Sequence, residues 1–183
     1  MGEGKWGHSS FPLTRPLCAV IGSVPRTARD SVGGLCYHLL NRGNRRARVF
    51  HSPGDYRDFV PLMGQACTRL PMRILAYCLI PNHFHLVLWP HKGGDLGRWL
   101  QWLMTTQVRR HHLRHRSSGH LWQGRFKAFP IQEDEHLLTV LRYVEANPPR
   151  AGLVSRAQDW EWSSLHRPGR PKVNPTPGAQ KHH

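Results

Sequence analysis

The chain has 183 residues, enough for one domain with a substantial core. Lysine and arginine number 26 against 11 aspartates and glutamates, a net charge of +15, which points to nucleic acid or an anionic membrane as the partner. No apolar run reaches the ~18 residues of a membrane-spanning helix, and the start, Met1 to His8, has no signal-peptide apolar core. The expected setting is therefore cytoplasmic, with reduced cysteines and no membrane partner.

Residues 1–24 mix Gly, Ser, Pro and isolated apolar side chains without periodicity. They read as disordered, or as an extension ahead of the folded domain. Leu35–Asn41 reads as a strand, Arg42-Gly43-Asn44 as a turn, and Ala47–His51 as a returning strand. Ser52-Pro53-Gly54-Asp55 is a helix start with proline at the first position. Tyr56, Phe59, Val60 and Met63 give that helix its apolar face, and Pro61 inside it is unusual.

Two short apolar runs follow, Arg73–Ile80 and His83–Leu88, separated by Pro81-Asn82. Runs of this length and composition read as strands. Residues i and i+2 of a strand share a face, so His83 and His85 project together and Phe84 projects opposite. Two neutral imidazoles side by side can hold one divalent metal. A half-buried strand edge shows the same His-x-His pattern, so the pair needs a third ligand and a reacting group from elsewhere.

After Gly93-Gly94, a helix over Leu96–Val108 carries Leu96, Trp99, Leu100 and Leu103 on one face, with Asp95 placed to cap it. Its far end, Arg109–Arg116, is strongly basic, and Trp122–Lys127 alternates aromatic and cationic side chains. Cations contact phosphates and aromatics stack on unpaired bases. Arg109, Arg110, Arg114, Arg116, Arg125 and Lys127 are therefore the expected DNA-binding group, with Trp122 and Phe126 assigned to the core. His111, His112, His115 and His120 read as phosphate or solvent contacts.

A short strand over Lys127–Gln132 precedes a helix from Asp134, with Leu137, Leu141 and Val144 at helical spacing. Pro148-Pro149 ends it. Tyr143 and Asn147 are i and i+4, on one face that flanks the apolar stripe and looks out beside the core. A tyrosine packed at the boundary and an asparagine capping the helix end would show the same spacing. Residues 167–183 form a basic, Pro-rich tail that reads as disordered. This order of strands and helices suits an α+β domain with helices packed on an antiparallel sheet. The sequence has no phosphate-binding Gly-Lys-Ser/Thr loop and no Gly-x-Ser-x-Gly elbow. Cys18, Cys36, Cys67 and Cys78 lack zinc-finger spacing.

Several stretches, in order, resemble the single-tyrosine HUH transposases of bacterial insertion sequences. The resemblance is closest to the transposases associated with repetitive extragenic palindromes (REP). The stretches are Pro25–Arg29, Tyr37–Asn44, Ala76–His85, Gly119–Lys127, Arg142–Pro148 and Arg150–Val154. The resemblance covers residues 25–166 and leaves 1–24 and 167–183 unmatched. It implies a ferredoxin-like antiparallel sheet with helices packed on one face. It also implies that Tyr143 is the nucleophile, that His83 and His85 bind a metal with Asn147 as third ligand, and that the metal is Mg2+ or Mn2+. The partner it implies is single-stranded or hairpin DNA, nicked and rejoined through a 5′-phosphotyrosine by a monomer or homodimer. Composition alone fits a catalytically silent nucleic-acid-binding protein of the same fold equally well. A metal-dependent hydrolase without a covalent step is a third reading.

Overall fold

The computed structural model describes residues 31–131 and 134–166. The expectations for residues 1–24, 25–29 and 167–183 lie outside them. The chain forms β1 (Cys36–Arg42), α1 (Pro53–Arg69), β2 (Met72–Ile80), β3 (His83–Pro90), α2 (Asp95–His115), β4 (Lys127–Ile131), α3 (Asp134–Glu145) and α4 (Asn147–Arg150). The four strands pair antiparallel in the order β2-β3-β1-β4. This is the expected α+β, ferredoxin-like sheet, and β3 lies inside it.

Strand register decides what each face carries, because side chains alternate across a strand. Leu40 of β1 stands opposite His85 of β3 and Lys127 of β4, and Arg42 stands opposite His83. Cys78 and Ile80 of β2 oppose His85 and His83 on the other side. Tyr37, Leu39, Phe84, Leu86 and Leu88 point the opposite way. They pack with Phe59, Leu62 and Met63 of α1 and with Leu96, Trp99, Leu100 and Leu103 of α2. Helices on one face is therefore right for α1 and α2 and wrong for α3. Val140 and Val144 of α3 pack with Ala76, Cys78, Ile80 and Val87 on the histidine face.

Ala47–His51 is not a strand. Both edges of β1 are already taken, by β3 and β4, so a returning strand has nowhere to pair. The chain turns instead through a 3₁₀ segment at Asn44–Arg46, with Arg45 and Arg46 at positive φ of 52° and 61°. Val49 and Phe50 are buried, and both their N–H groups donate to the Pro81 carbonyl, at 2.7 and 3.0 Å. Their apolar character serves the core rather than a ladder. Gly43 is required here because a Cβ would overlap the Ala47 carbonyl.

At the start of α1, the Asp55 carboxylate accepts from the backbone N–H groups of His51 and Ser52, at 2.8 and 2.9 Å. Pro61 sits on the exposed side of the helix, where water can satisfy the carbonyl it leaves unbonded. The cap of α2 is Gly94, left-handed at φ 79°, and not Asp95, which is the first helical residue. α3 stops at Glu145, two residues before Asn147, and Pro148-Pro149 lie within the short α4 turn. Past α4, the backbone of Trp162 and Ser164 bonds to Leu79 and Tyr77 and covers the outer edge of β2. No helix among the described residues is long and apolar enough to cross a membrane.

Candidate active site

His83 and His85 lie at the start of β3 on the face covered by α3, with ring centroids 5.0 Å apart. Each imidazole has its Nδ1 engaged. His83 Nδ1 is 2.7 Å from the Asn82 side-chain oxygen, which can only accept, so this nitrogen carries the proton. His85 Nδ1 is 3.0 Å from Nε2 of His38 on β1. His85 Nε2 is buried and has no hydrogen-bond partner. Metal-bound histidines show this pattern, with one nitrogen held by an outer partner and the other presented to the ion.

Burial favours the neutral imidazole. It pushes His83 down to about 4, with the Arg42 guanidinium adding to the effect. Burial pushes His85 well below its usual range, reinforced by His38, His83 and Arg42. Both side chains therefore stay neutral at pH 7, the form that can ligate a cation. Among the described residues no three His, Cys, Asp or Glu side chains gather as a metal cage. A third protein ligand would therefore come from another residue type, and the Asn147 amide is the candidate the sequence offered.

Tyr143 comes down from α3 onto His85 and His38 within the same chain. Its ring meets His85 edge-on at 5.7 Å and His38 edge-on at 6.0 Å. The Arg150 guanidinium lies 5.2 Å from the Tyr143 ring centre, within cation–π range. Asn147 is buried, and its side-chain N–H groups donate to the carbonyls of Tyr143 and Val144, at 2.8 and 3.3 Å. The capping role open to Asn147 in the sequence is thus present, and Oδ1 is the end with lone pairs to offer a cation. Tyr143 and Asn147 do not look out to solvent as their spacing suggested. The helix lies on the second face of the sheet, which turns them inward.

The basic group divides. Arg109, Arg116, Arg125 and Lys127 are exposed, and Lys127 lies on the histidine face, across Leu40 from His85. Arg110 donates to Gln65 at 3.2 Å. Arg114 is ion-paired with Asp58 and lies 3.8 Å from Asp55, which ties the end of α2 to the start of α1. Trp122 and Phe126 pack against the α1/α2 core as expected. Three of the four histidines of this region differ from expectation, while His120 is exposed as expected. His111 is buried with neither ring nitrogen bonded, His115 bonds Asp55 at 2.7 Å, and His112 bonds Ser117 and the Gly119 carbonyl.

Several side chains at the site escaped the sequence reading. His38 and Arg42 stand on β1 at the same parity as Leu40, so they share its face. That signal becomes useful only when β1 is known to pair with β3. Arg45, Arg46 and Arg48 are exposed just beyond Arg42. Their cluster of charge was visible in the sequence but was read as a turn and a strand.

Residues 31–147 match the family model of the IS200-like transposases, and the chain belongs to that family. It is 29% identical over 133 residues to a Haemophilus influenzae protein assigned to the REP-associated tyrosine transposases, covering 66% of this chain and 75% of the relative. It is 24% identical over 135 residues to the REP-associated tyrosine transposase of Escherichia coli K12, covering 74% and 78%. The fold matches the solved structure of a REP-associated tyrosine transposase bound to a REP hairpin. The TM-score is 0.62 at 20% identity, over 78% of this chain and 82% of that one.

Proposed function

We propose that this transposase nicks and rejoins single-stranded DNA beside a hairpin, through a covalent 5′-phosphotyrosine on Tyr143 and with the help of Mg2+ or Mn2+. The observation that carries the reading is the docking of Tyr143 on His85 beside His83, inside one chain, with both imidazoles neutral. Tyrosine oxygen is a competent covalent nucleophile toward phosphorus. In the nicking step the Tyr143 Oη–phosphorus bond forms as the bond from phosphorus to the 3′ oxygen breaks. The phenol gives up its proton, and the departing oxygen takes one up to become a 3′-OH. A 3′-OH reverses the step, and no nucleotide cofactor is consumed.

A free phenol titrates near ~10 and is a weak nucleophile at neutral pH. His83 and His85, through Nε2, and Asn147, through Oδ1, are the groups that would hold the cation. Bound there, it would supply charge stabilisation and orientation for the scissile phosphate. The Arg150 and Arg42 guanidiniums stand beside the same site and offer positive charge to the DNA strand.

The DNA path follows from where the cations lie. β1 ends and β3 begins at the histidine end of the sheet. The contacts of Arg114 and His115 with the start of α1, and of Gly43 with Trp122, bring the end of α2 and the Trp122–Lys127 segment to that end too. The exposed Arg45, Arg46, Arg48, Arg109, Arg116, Arg125 and Lys127 on these segments are the cations that would contact the DNA backbone. Left-handed non-glycine backbone, as at Arg45 and Arg46, is uncommon and concentrates at functional positions. Hairpin affinity should fall steeply with salt, and neutralising Arg45, Arg46 and Arg48 together should flatten that slope. A slope unchanged in the triple variant would remove the loop from the interface.

The reading is tested with labelled single-stranded hairpin DNA, drawn from repeats flanking the gene, incubated with Mg2+ or Mn2+. A denaturing gel then compares the wild type with Tyr143→Phe. A covalent band that needs both metal and Tyr143 supports strand transfer. Binding without any adduct supports the silent DNA-binding reading, and cleavage by Tyr143→Phe without an adduct supports the hydrolase.

A further inference from the structure

We infer that His38 is the positioning residue of the metal site: it accepts the Nδ1 proton of His85 and thereby fixes the tautomer that presents Nε2 to the cation. The inference rests on the metal-assisted reading above and adds a residue and a task to it.

A neutral imidazole has one donor and one acceptor nitrogen, and the partner of one nitrogen dictates the state of the other. The His38–His85 bond has two directions. If His38 Nε2 donates, His85 keeps its proton on Nε2 and has no lone pair for a cation. If His38 Nε2 accepts, His85 Nε2 is the bare nitrogen, and this is the atom that lies buried with no hydrogen-bond partner. Only the second direction is compatible with a metal ligand at His85. His83 is arranged in the same way by Asn82, whose oxygen can only accept, so both ligands would have their outer nitrogen pinned.

His38 is built into this position. It stands opposite Val87 on β1, two residues along β3 from His85, and is itself buried. Its ring lies nearly coplanar with that of His85, 14° between planes and 5.2 Å between centroids, as an in-line N–H···N bond requires. Phe129 backs it at 6.0 Å, and the Tyr143 ring meets its edge at 6.0 Å. Packing thus locks the ring that holds His85 and forms part of the seat of the nucleophile. Outer partners of metal-bound histidines typically contribute ~10–100-fold to metal affinity.

The test needs no turnover. In the metal-free wild type, 15N shifts of the His85 ring should report Nδ1–H and bare Nε2; an Nε2–H tautomer there would overturn the inference. Mn2+ is then titrated directly onto the full chain and its variants. His38→Phe keeps a packed ring and loses the acceptor, and should weaken Mn2+ binding by ~10–100-fold. His38→Gln keeps an acceptor oxygen and should recover most of the affinity. Hairpin binding under chelation should be unchanged in both. Undiminished Mn2+ binding by a folded His38→Phe would overturn the inference and leave the metal reading standing. A wild type that binds no Mn2+ would overturn the metal reading itself. If His38→Phe fails to fold, the wild-type tautomer and the His38→Gln titration still decide.

Discussion

The two faces of one sheet have been given different work. Toward α1 and α2 the packing is large and apolar. Trp99, Phe50, Phe59, Phe84 and the other largest fully buried side chains all lie on that side. Toward α3 the buried apolar groups are small, among them Ala76, Cys78, Val87, Val140 and Val144, and His38, His83 and His85 lie among them. Burial scales the hydrophobic contribution, so the first face holds the domain together. The second holds a helix that carries Tyr143, the proposed nucleophile, over three neutral imidazoles. Stability and chemistry are thus separated by the thickness of a strand, and alternate residues of β1 and β3 serve one or the other.

That contrast can be broken by experiment. The largest effect expected is metal removal: chelation should abolish covalent adduct formation and leave hairpin binding and thermal stability nearly unchanged. Loss of the fold on chelation would mean that the histidine face stabilises the domain as well. On the other face, Phe84→Ala should cost about 3–5 kcal/mol in denaturant unfolding, enough to threaten a domain of this size. Across the sheet, Val144→Ala removes two buried carbons and should cost about 2 kcal/mol. Because Val144 adjoins Tyr143, adduct yield should fall further than DNA binding does. Equal losses of binding and adduct would show that α3 serves the fold rather than the chemistry.

A further effect concerns pH. Burial holds His38 and His83 down to about 4, and it does the same to His111 at the end of α2, where His115 adds to the effect. As pH falls below ~6.5 the unfolded chain takes up protons that the folded chain refuses until about pH 4, so stability drops across that window and is full above it. The unfolding midpoint should be flat from pH 8 to 7 and decline from 6.5 to 4. His111→Leu should shallow the decline, since it removes one of the four depressed imidazoles. A midpoint that holds steady to pH 4 would contradict the burial of these rings.

Much of this arrangement was legible in the residues. A period of two puts His83 and His85 on one face, and a period of 3.6 puts Tyr143 beside Asn147; local spacing suffices for both. The returning strand at Ala47–His51 failed because strand propensity does not say whether a free edge exists, and β1 has none. From spacing alone the Tyr143/Asn147 face of α3 looks outward, because the choice of sheet face is a tertiary matter. His38 stayed hidden for a related reason. It lies 47 positions from His85 in sequence, and only the pairing of β1 with β3 joins them. Arg114 reads as a free cation until Asp55 and Asp58 are seen to meet it.

The central claim is that one chain supplies both the histidines and the tyrosine. The direct test is to mix His83→Ala with Tyr143→Phe, two variants that each lack half of the site, in the presence of hairpin DNA and Mn2+. With Tyr143 docked on its own histidines, the mixture should form no adduct while the wild type does. An adduct on the His83→Ala chain in the mixture, absent from either variant alone, would mean that the tyrosine helix works on a partner's histidines and would contradict the account.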